Sequence, residues 1–293
     1  MSFDTMRFIA LFLLFFPTWT FAQQKDRVYD FSLENDEKAL VQYMWKAQRA
    51  DSTFDRNDAN YLFIRELVKM LRQPGAYHYP FDSLKAISIL AAPDNKFRLF
   101  SWQIKQDEGT YRHYGCIMLN DANQTLIPLL DQSDEIGSGT DTILQPKNWY
   151  GAAYYQIVPQ LKKSKGITYY TLIGYDAFEP FSQRKIIDVL WFDKAGEAHF
   201  GAPIFQLPGG NHFTRVVYEY AKDATMQLRW DQDNKLIIAD HLVPRHENNR
   251  GLYFDYVADG SFDGFRFKKG SWQYLDNVDL RMKTPNAGAS RKP

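Results

Sequence analysis

The chain has 293 residues, with 35 basic against 35 acidic side chains and hence no formal net charge. Apolar residues make up 45% and aromatic residues 16%, which excludes a chain disordered over its bulk. The balanced charge excludes the basic excess that marks nucleic-acid binders, so no nucleic-acid partner is expected.

The chain opens with an address. Arg7 supplies a positive start, Phe8-Ile-Ala-Leu-Phe-Leu-Leu-Phe-Phe16 an apolar run, and Thr20 and Ala22 the small residues before a cleavage point at Gln23. The run is too short for a membrane helix, which needs about 20 apolar residues. Residues 1–22 are therefore predicted to be a signal peptide, with cleavage between Ala22 and Gln23 and a periplasmic or secreted product. The cleavage point carries no cysteine for lipid attachment. No transmembrane span is expected in the mature chain, and the strands read below lack the regular alternation of an outer-membrane barrel.

Residues 23–82 are read as an N-terminal helical segment. Leu40, Tyr43, Met44 and Ala47 recur at helical spacing within 35–50. Tyr61, Ile64, Leu67, Val68 and Leu71 do the same within 58–73, where Pro74-Gly75 stops the helix. The polar stretch 51–57 connects them into a hairpin. From residue 83 to 283 the period changes to two, and about fourteen strands rich in Val, Ile, Tyr, Phe and Trp follow. Asp, Asn and Gly punctuate them, as in Asn120-Asp-Ala-Asn123, Asp193-Lys-Ala-Gly196 and Asp259-Gly260. The predicted class is mainly β: an antiparallel meander forming a large sandwich or propeller-like array, with an N-terminal helical hairpin. Strands are expected over 198–205, 213–220, 252–257 and 262–267 among others. The polar loop 132–147 is uncommonly long. Residues 284–293 read as a flexible tail.

No nucleophile elbow, zinc-protease motif, phosphate loop or dinucleotide fingerprint is present. Cys116 is the only cysteine, so an internal disulfide and cysteine zinc sites are excluded, and its apolar setting reads as a buried hydrophobe. No cofactor and no metal site are expected. Asp240, His241 and His246 form the only local acid–imidazole cluster, a candidate for catalytic or metal use. Asp240 and His241, as strand neighbours, point to opposite faces unless the strand bulges. Asp188 interrupts Lys185-Ile-Ile-Asp-Val-Leu-Trp-Phe192, a run apolar on both faces that reads as a central strand. It is either a tuned acid or base or half of an ion pair with Arg184 or Arg215. Trp149, Tyr150, Tyr154 and Tyr155 are candidates for an aromatic ligand platform, with core packing as the other use.

Ala92-Pro-Asp-Asn-Lys-Phe-Arg-Leu-Phe-Ser-Trp102, Leu172-Ile-Gly-Tyr-Asp176, Phe200-Gly-Ala-Pro-Ile-Phe205 and Asp259-Gly-Ser-Phe-Asp-Gly-Phe265, with the 185–192 run, resemble an uncharacterised family of exported β-rich proteins from Gram-negative bacteria. The resemblance carries no assigned activity and no functional residues. Two functions are expected from these features: an envelope protein that binds a ligand, an envelope polymer or a protein partner without chemistry; or a hydrolase of envelope or extracellular polymer, metal-assisted in one form. Convergence of carboxylates and histidines in one cleft would favour the hydrolase.

Overall fold

The computed structural model describes residues 31–159, 162–164 and 166–280. The signal peptide predicted over 1–22, with Ala22 and Gln23, and the tail predicted over 284–293 lie outside the described residues. Strands account for 41% of the chain and helices for 22%, so the protein is mainly β, built from antiparallel sheets with three α-helices.

Helices α1 (Phe31–Arg49) and α2 (Thr53–Leu71) form the hairpin. The second begins earlier than its apolar period suggests. Ser52 Oγ accepts from the Asp55 N–H at 3.1 Å and caps the helix, so most of the stretch read as a connection is its first turn. The strands β1 (Ser88–Ala91), β2 (Phe97–Lys105), β3 (Tyr111–Leu119) and β4 (Leu126–Leu130) make a four-stranded antiparallel sheet in sequence order. The short helix α3 (Ser133–Ile136) lies inside the long loop.

The second sheet takes β5 (Ala153–Ile157), β6 (Lys162–Ser164), β7 (Ile167–Asp176), β8 (Ser182–Phe192) and β9 (Ala198–Phe200). The chain then leaves it: β10 (Phe205–Gln206) and β11 (His212–Phe213) belong to a third sheet. It returns for β12 (Val216–Ala221), which pairs with β8, and completes the third sheet with β13 (Leu228–Asp231), β14 (Leu236–Pro244), β15 (Tyr256–Lys268) and β16 (Ser271–Leu275).

Alternation along each strand sorts the apolar side chains into three cores. Phe100, Trp102, Ile104 and Met118 pack with Leu40, Met44, Phe63 and Leu67 of the helices. Their strand neighbours Phe97, Leu99 and Ile117 pack instead with Tyr154, Leu172, Ile186 and Leu190 of the second sheet. The opposite face of that sheet, with Ile173, Ile187 and Val189, meets Trp230, Ile237, Phe265 and Trp272 of the third.

Three expected strands are redrawn. The 198–205 run breaks at Gly201, whose φ of +84° turns the chain out of the strand, so its halves join different sheets. The 213–220 run divides between β11 and β12 around Thr214 and Arg215, whose side chains bond to the long loop. The runs 252–257 and 262–267 fuse into β15 apart from a short helical turn over Tyr253–Asp255. Asp259-Gly260 closes no hairpin; the register against β14 shifts there, so it forms a jog within one strand. The pairing is also not a pure meander, since β10 runs parallel to β16.

Polar contacts tie the hairpin to the first sheet: Arg56 Nε–H donates to the Lys105 carbonyl at 2.7 Å, and another lies inside the first core. Trp102 Nε1–H donates to Asn60 Oδ1 at 2.8 Å inside the first core. Asn60→Leu strands that indole N–H and is expected to cost about 1–3 kcal/mol in urea unfolding. Adding Trp102→Phe removes the stranded donor, so the double variant should lose less than the two single costs summed; strict additivity would contradict the contact.

Candidate functional site

The interior beside the long loop is built on Asp188. Its strand β8 is covered on both faces, as the apolar run predicts, and Asp188 has no solvent exposure. Tyr154 Oη donates to Asp188 Oδ2 at 2.9 Å, and the Val189 N–H donates to Oδ1 at 2.8 Å. Trp149 Nε1–H in turn donates to Tyr154 Oη at 3.1 Å. Burial and the adjacent Asp188 push the Tyr154 hydroxyl well above its ordinary value, so it stays a donor. The countercharge is Arg215, also fully buried, with Nε 3.4 Å from Asp188 Oδ1. The β12–β8 register pairs Val216 with Ile187, which sets Arg215 opposite Asp188. Of the two partners considered, Arg215 is the one found; Arg184 pairs with Glu219.

Arg215 carries this core outward. Its Nη1 donates to the carbonyls of Gly139 and Thr142, and Thr214 Oγ1 donates to those of Thr140 and Thr142 at 3.0 Å. The long loop is thus anchored. The guanidinium also lies 5.3 Å from the centroid of the Tyr150 ring, a cation–π contact that fixes that ring over it.

A second charged core, unforeseen in the sequence, lies behind Tyr150. His113 Nδ1 sits 3.2 Å from Asp131 Oδ2, and Nε2 sits 3.2 Å from Asp176 Oδ1, close enough for an ion pair but off the N–H direction. All three side chains are buried. Burial alone would lower the His113 pKa; the charges of Asp176 and Asp131 and the hydrogen bond to Asp131 outweigh it and raise the value to about 9. Burial would likewise raise Asp131, but hydrogen bonding and the charge of His113 bring it down to about 2. Gly151 closes the cluster. Its φ is +77°, and a Cβ there would come within 2.6 Å of Asp131 Oδ1 and 2.8 Å of His113 Nδ1. These residues end or cross three different strands, so no local spacing announced them. The one available signal was a histidine among strand residues.

A pocket of about 400 Å³ opens in front of Tyr150. Gly137, Ser138 and Thr140 of the long loop form one wall; Arg184 and Glu219, paired across β8 and β12, form another; Tyr253 stands at the rim. Arg184 Nη2 lies 2.7 Å and Nε 2.8 Å from Glu219 Oε2. The pair is held from behind: Ser182 Oγ donates to Glu219 Oε1 at 2.9 Å, and the Phe178 ring lies 3.1 Å from Arg184 Cζ. Phe178 takes φ +53°, an uncommon conformation for an aromatic residue, where its N–H reaches Asp176 Oδ1 at 2.7 Å. The ring of Tyr253 is 51% exposed and packs against Tyr256 at 5.2 Å. A larger hollow of about 470 Å³, along Ile127, Pro128, Leu130 and Pro146, is mostly aliphatic.

The other sequence candidates go elsewhere. Trp149, Tyr150 and Tyr154 are buried and form no exposed platform, because their hydroxyl, indole and ring faces are taken by the Asp188–Arg215 core; only Tyr155 is partly exposed, and its Oη donates to the Leu228 carbonyl at 2.7 Å. The register shift at His241 is the bulge that could have joined Asp240 to it, yet the cluster is not assembled. Asp240 accepts from the Gln227 N–H at 2.8 Å, His241 Nδ1 lies 2.8 Å from Asp263, and His246 Nδ1 lies 3.1 Å from Asp255. His199 pairs with Asp193 at 3.3 Å. Among the described residues, two groups place ligand-type atoms within 4.8 Å of one another, His241 with Asp263 and Asp276, and Asp193 with Glu197 and His199; the first shares only His241 with the cluster read from the sequence. In each, the imidazole already has a carboxylate partner. Burial pushes the Cys116 thiol up to about 12, which keeps it protonated and unsuited to nucleophilic use.

No protein-family model matches the chain, and neither the curated proteins nor the solved structures contain a match. No activity is carried over from a relative.

Two outcomes follow from the charged cores. Asp188→Ala leaves a fully buried guanidinium unpaired and should cost about 3–5 kcal/mol of unfolding free energy, whereas Tyr154→Phe removes one hydrogen bond and should cost about 1–3 kcal/mol. Equal losses would contradict the pairing. For His113, the raised folded pKa makes its contribution complete below the ordinary 6.5 and lost as pH rises through about 9; Asp131, held near 2, contributes above its ordinary 3.8 and loses that as pH falls. Thermal stability should therefore decline between pH 6.5 and 9, by about 3 kcal/mol at most, and His113→Gln should flatten that decline.

Proposed function

We propose that this is an exported protein of the cell envelope that binds, without transforming it, a small polar ligand or the end of an envelope polymer in the pocket between Tyr150 and Tyr253. One observation carries the reading: a pre-paired Arg184–Glu219, two loop hydroxyls and a half-exposed aromatic ring converge on one concavity from separate parts of the chain. The pocket lining holds no imidazole and no thiol. Ser138 Oγ has Thr140 Oγ1 at 3.5 Å rather than a base, and a hydroxyl without an adjacent base is a weak nucleophile. His113 is sealed behind Gly151. The carboxylate–imidazole pairs are dispersed, which favours binding over hydrolysis. Export rests on the N-terminal pattern of residues 7–22. We also read the three sheets as stacked face to face, as in a sandwich, since separate cores join the first sheet to the second and the second to the third.

Intact mass of protein from the envelope fraction should correspond to a chain beginning at Gln23; a cytoplasmic product retaining residues 8–22 would count against export. Fragments of envelope polysaccharide and peptidoglycan should raise the melting temperature of the wild type and leave Tyr253→Ala unmoved. Mass spectrometry of the same mixtures should find the fragments intact. Appearance of cleavage products would establish the hydrolase instead.

A further inference from the structure

We infer that the pocket is a saccharide site selective for neutral sugars, with Tyr253 as the stacking surface and Arg184–Glu219 as the group that reads neighbouring hydroxyls. The inference rests on the ligand-binding reading of this pocket and adds the ligand's chemistry.

Charge decides first. Arg184 and Glu219 lie 2.7 Å apart with side chains 19% and 18% exposed, so each largely cancels the other. A phosphate or carboxylate attracted to Arg184 meets the Glu219 carboxylate beside it, and an amine drawn to Glu219 meets the guanidinium. Juxtaposed like charges in a partly desolvated pocket select against both ions. A hydroxyl is different, because it donates one hydrogen bond and accepts others. Two adjacent ring hydroxyls can accept from Arg184 and donate to Glu219 at the same time without disturbing the pair.

Rigidity decides next. Phe178 beneath the guanidinium and Ser182 on the carboxylate fix the planes of both groups before any ligand arrives. Tyr150 is fixed by Arg215 beneath it, and the loop carrying Ser138 and Thr140 is fixed by the Arg215 and Thr214 bonds. Preorganised polar groups lower the ordering cost that weakens the binding of small hydrated ligands. Ser138 and Thr140 add two hydroxyl-bearing side chains to the lining.

The flat surface completes the match. Tyr253 presents an exposed ring at the mouth, braced by Tyr256, whose own hydroxyl accepts from the Gly251 N–H at 3.0 Å. A pyranose has one face of C–H groups and a rim of hydroxyls; the face suits the ring and the rim suits the walls. A volume of about 400 Å³ is at the small end for ligand sites, roughly 300–1,000 Å³, and takes a short saccharide end rather than a long segment.

Saturation-transfer NMR and calorimetry on the mature protein test this with glucose, galactose, N-acetylglucosamine and their disaccharides. Glucuronate, glucosamine and glucose 6-phosphate serve as charged counterparts, and adenosine and a tyrosine dipeptide as flat non-sugars. Neutral sugars are expected to bind, with charged counterparts weaker by about tenfold or more. Tyr253→Ala should lower neutral-sugar affinity by roughly tenfold. Glu219→Gln should narrow the gap between neutral and acidic sugars, a change that mere loss of stability would not produce. Absence of binding by every sugar, or equal binding of charged and neutral forms, overturns the inference. Tyr253-dependent binding of adenosine or the dipeptide alone overturns it while leaving the pocket a ligand site; no Tyr253-dependent binding of any probe or envelope fragment sinks both.

Discussion

Asp188 on β8 and Arg215 just before β12 face each other with no exposure to solvent, and much of the surrounding arrangement requires that neither lose the other. A buried ion pair adds little net stability over a well-packed apolar pair, because desolvation offsets the attraction. Its force is conditional: once one charge is buried, the other must be present. Arg215 Nη1 donates to carbonyls of the long loop, so the loop takes its position from the pair. Tyr150 takes its position from the same guanidinium. Tyr154 and Trp149 are drawn inward from the other side by the carboxylate. A constraint that begins as electrostatics inside one sheet thus ends as the shape of a surface pocket.

Much of this frame was legible in the sequence, for identifiable reasons. The helical period of Leu40, Met44 and Leu67 and the doubly apolar run around Asp188 both reflect burial, and burial leaves a periodic trace. Asp188 stood out because a carboxylate in such a run demands a partner, and Arg215 was one of two named. The splitting of 198–205 was hidden because β-rich composition continues through Gly201, and only the backbone shows that its φ is positive. Asp259-Gly260 carries a hairpin's chemistry, but the same residues suit a jog inside a strand, and tertiary pairing chose between them. The aromatic cluster misled in the opposite sense: Trp149, Tyr150 and Tyr154 have the composition of a binding platform, but the Tyr154 hydroxyl bonds the buried carboxylate, the Trp149 indole bonds Tyr154, and the Tyr150 ring covers the guanidinium. The pocket was not legible, because Arg184 and Glu219 meet only through strand register.

The histidines show a common pattern. His113, His199, His241 and His246 each lie beside an aspartate, in four separate places. Only His113 is enclosed, between two acids, and there the imidazolium neutralises part of a charge that would otherwise be buried naked. The surface pairs are worth little individually, since solvent and salt screen them. Proximity of acid and imidazole therefore does not by itself indicate chemistry in this chain; where the pair is buried it fills a structural need.

The order of the sheets along the chain has a kinetic consequence. The helical hairpin and the first sheet are complete by residue 130, before β5 begins. A chain emerging from its N-terminus can bury that first core while the rest is still extended. The second sheet has no such independence. Its carboxylate arrives with β8, but its guanidinium arrives only just before β12, after the chain has visited the third sheet through β10 and β11. A nascent or truncated chain that ends in this interval carries Asp188 with no countercharge, and a carboxylate in that state resists burial. The core around Asp188 consequently lacks its countercharge until Arg215 is delivered, and the third sheet is completed only after that, by β13 to β16. Premature termination anywhere between these two residues yields a folded head on an unsealed body, a species that proteases and aggregation partners meet with its apolar strands still accessible.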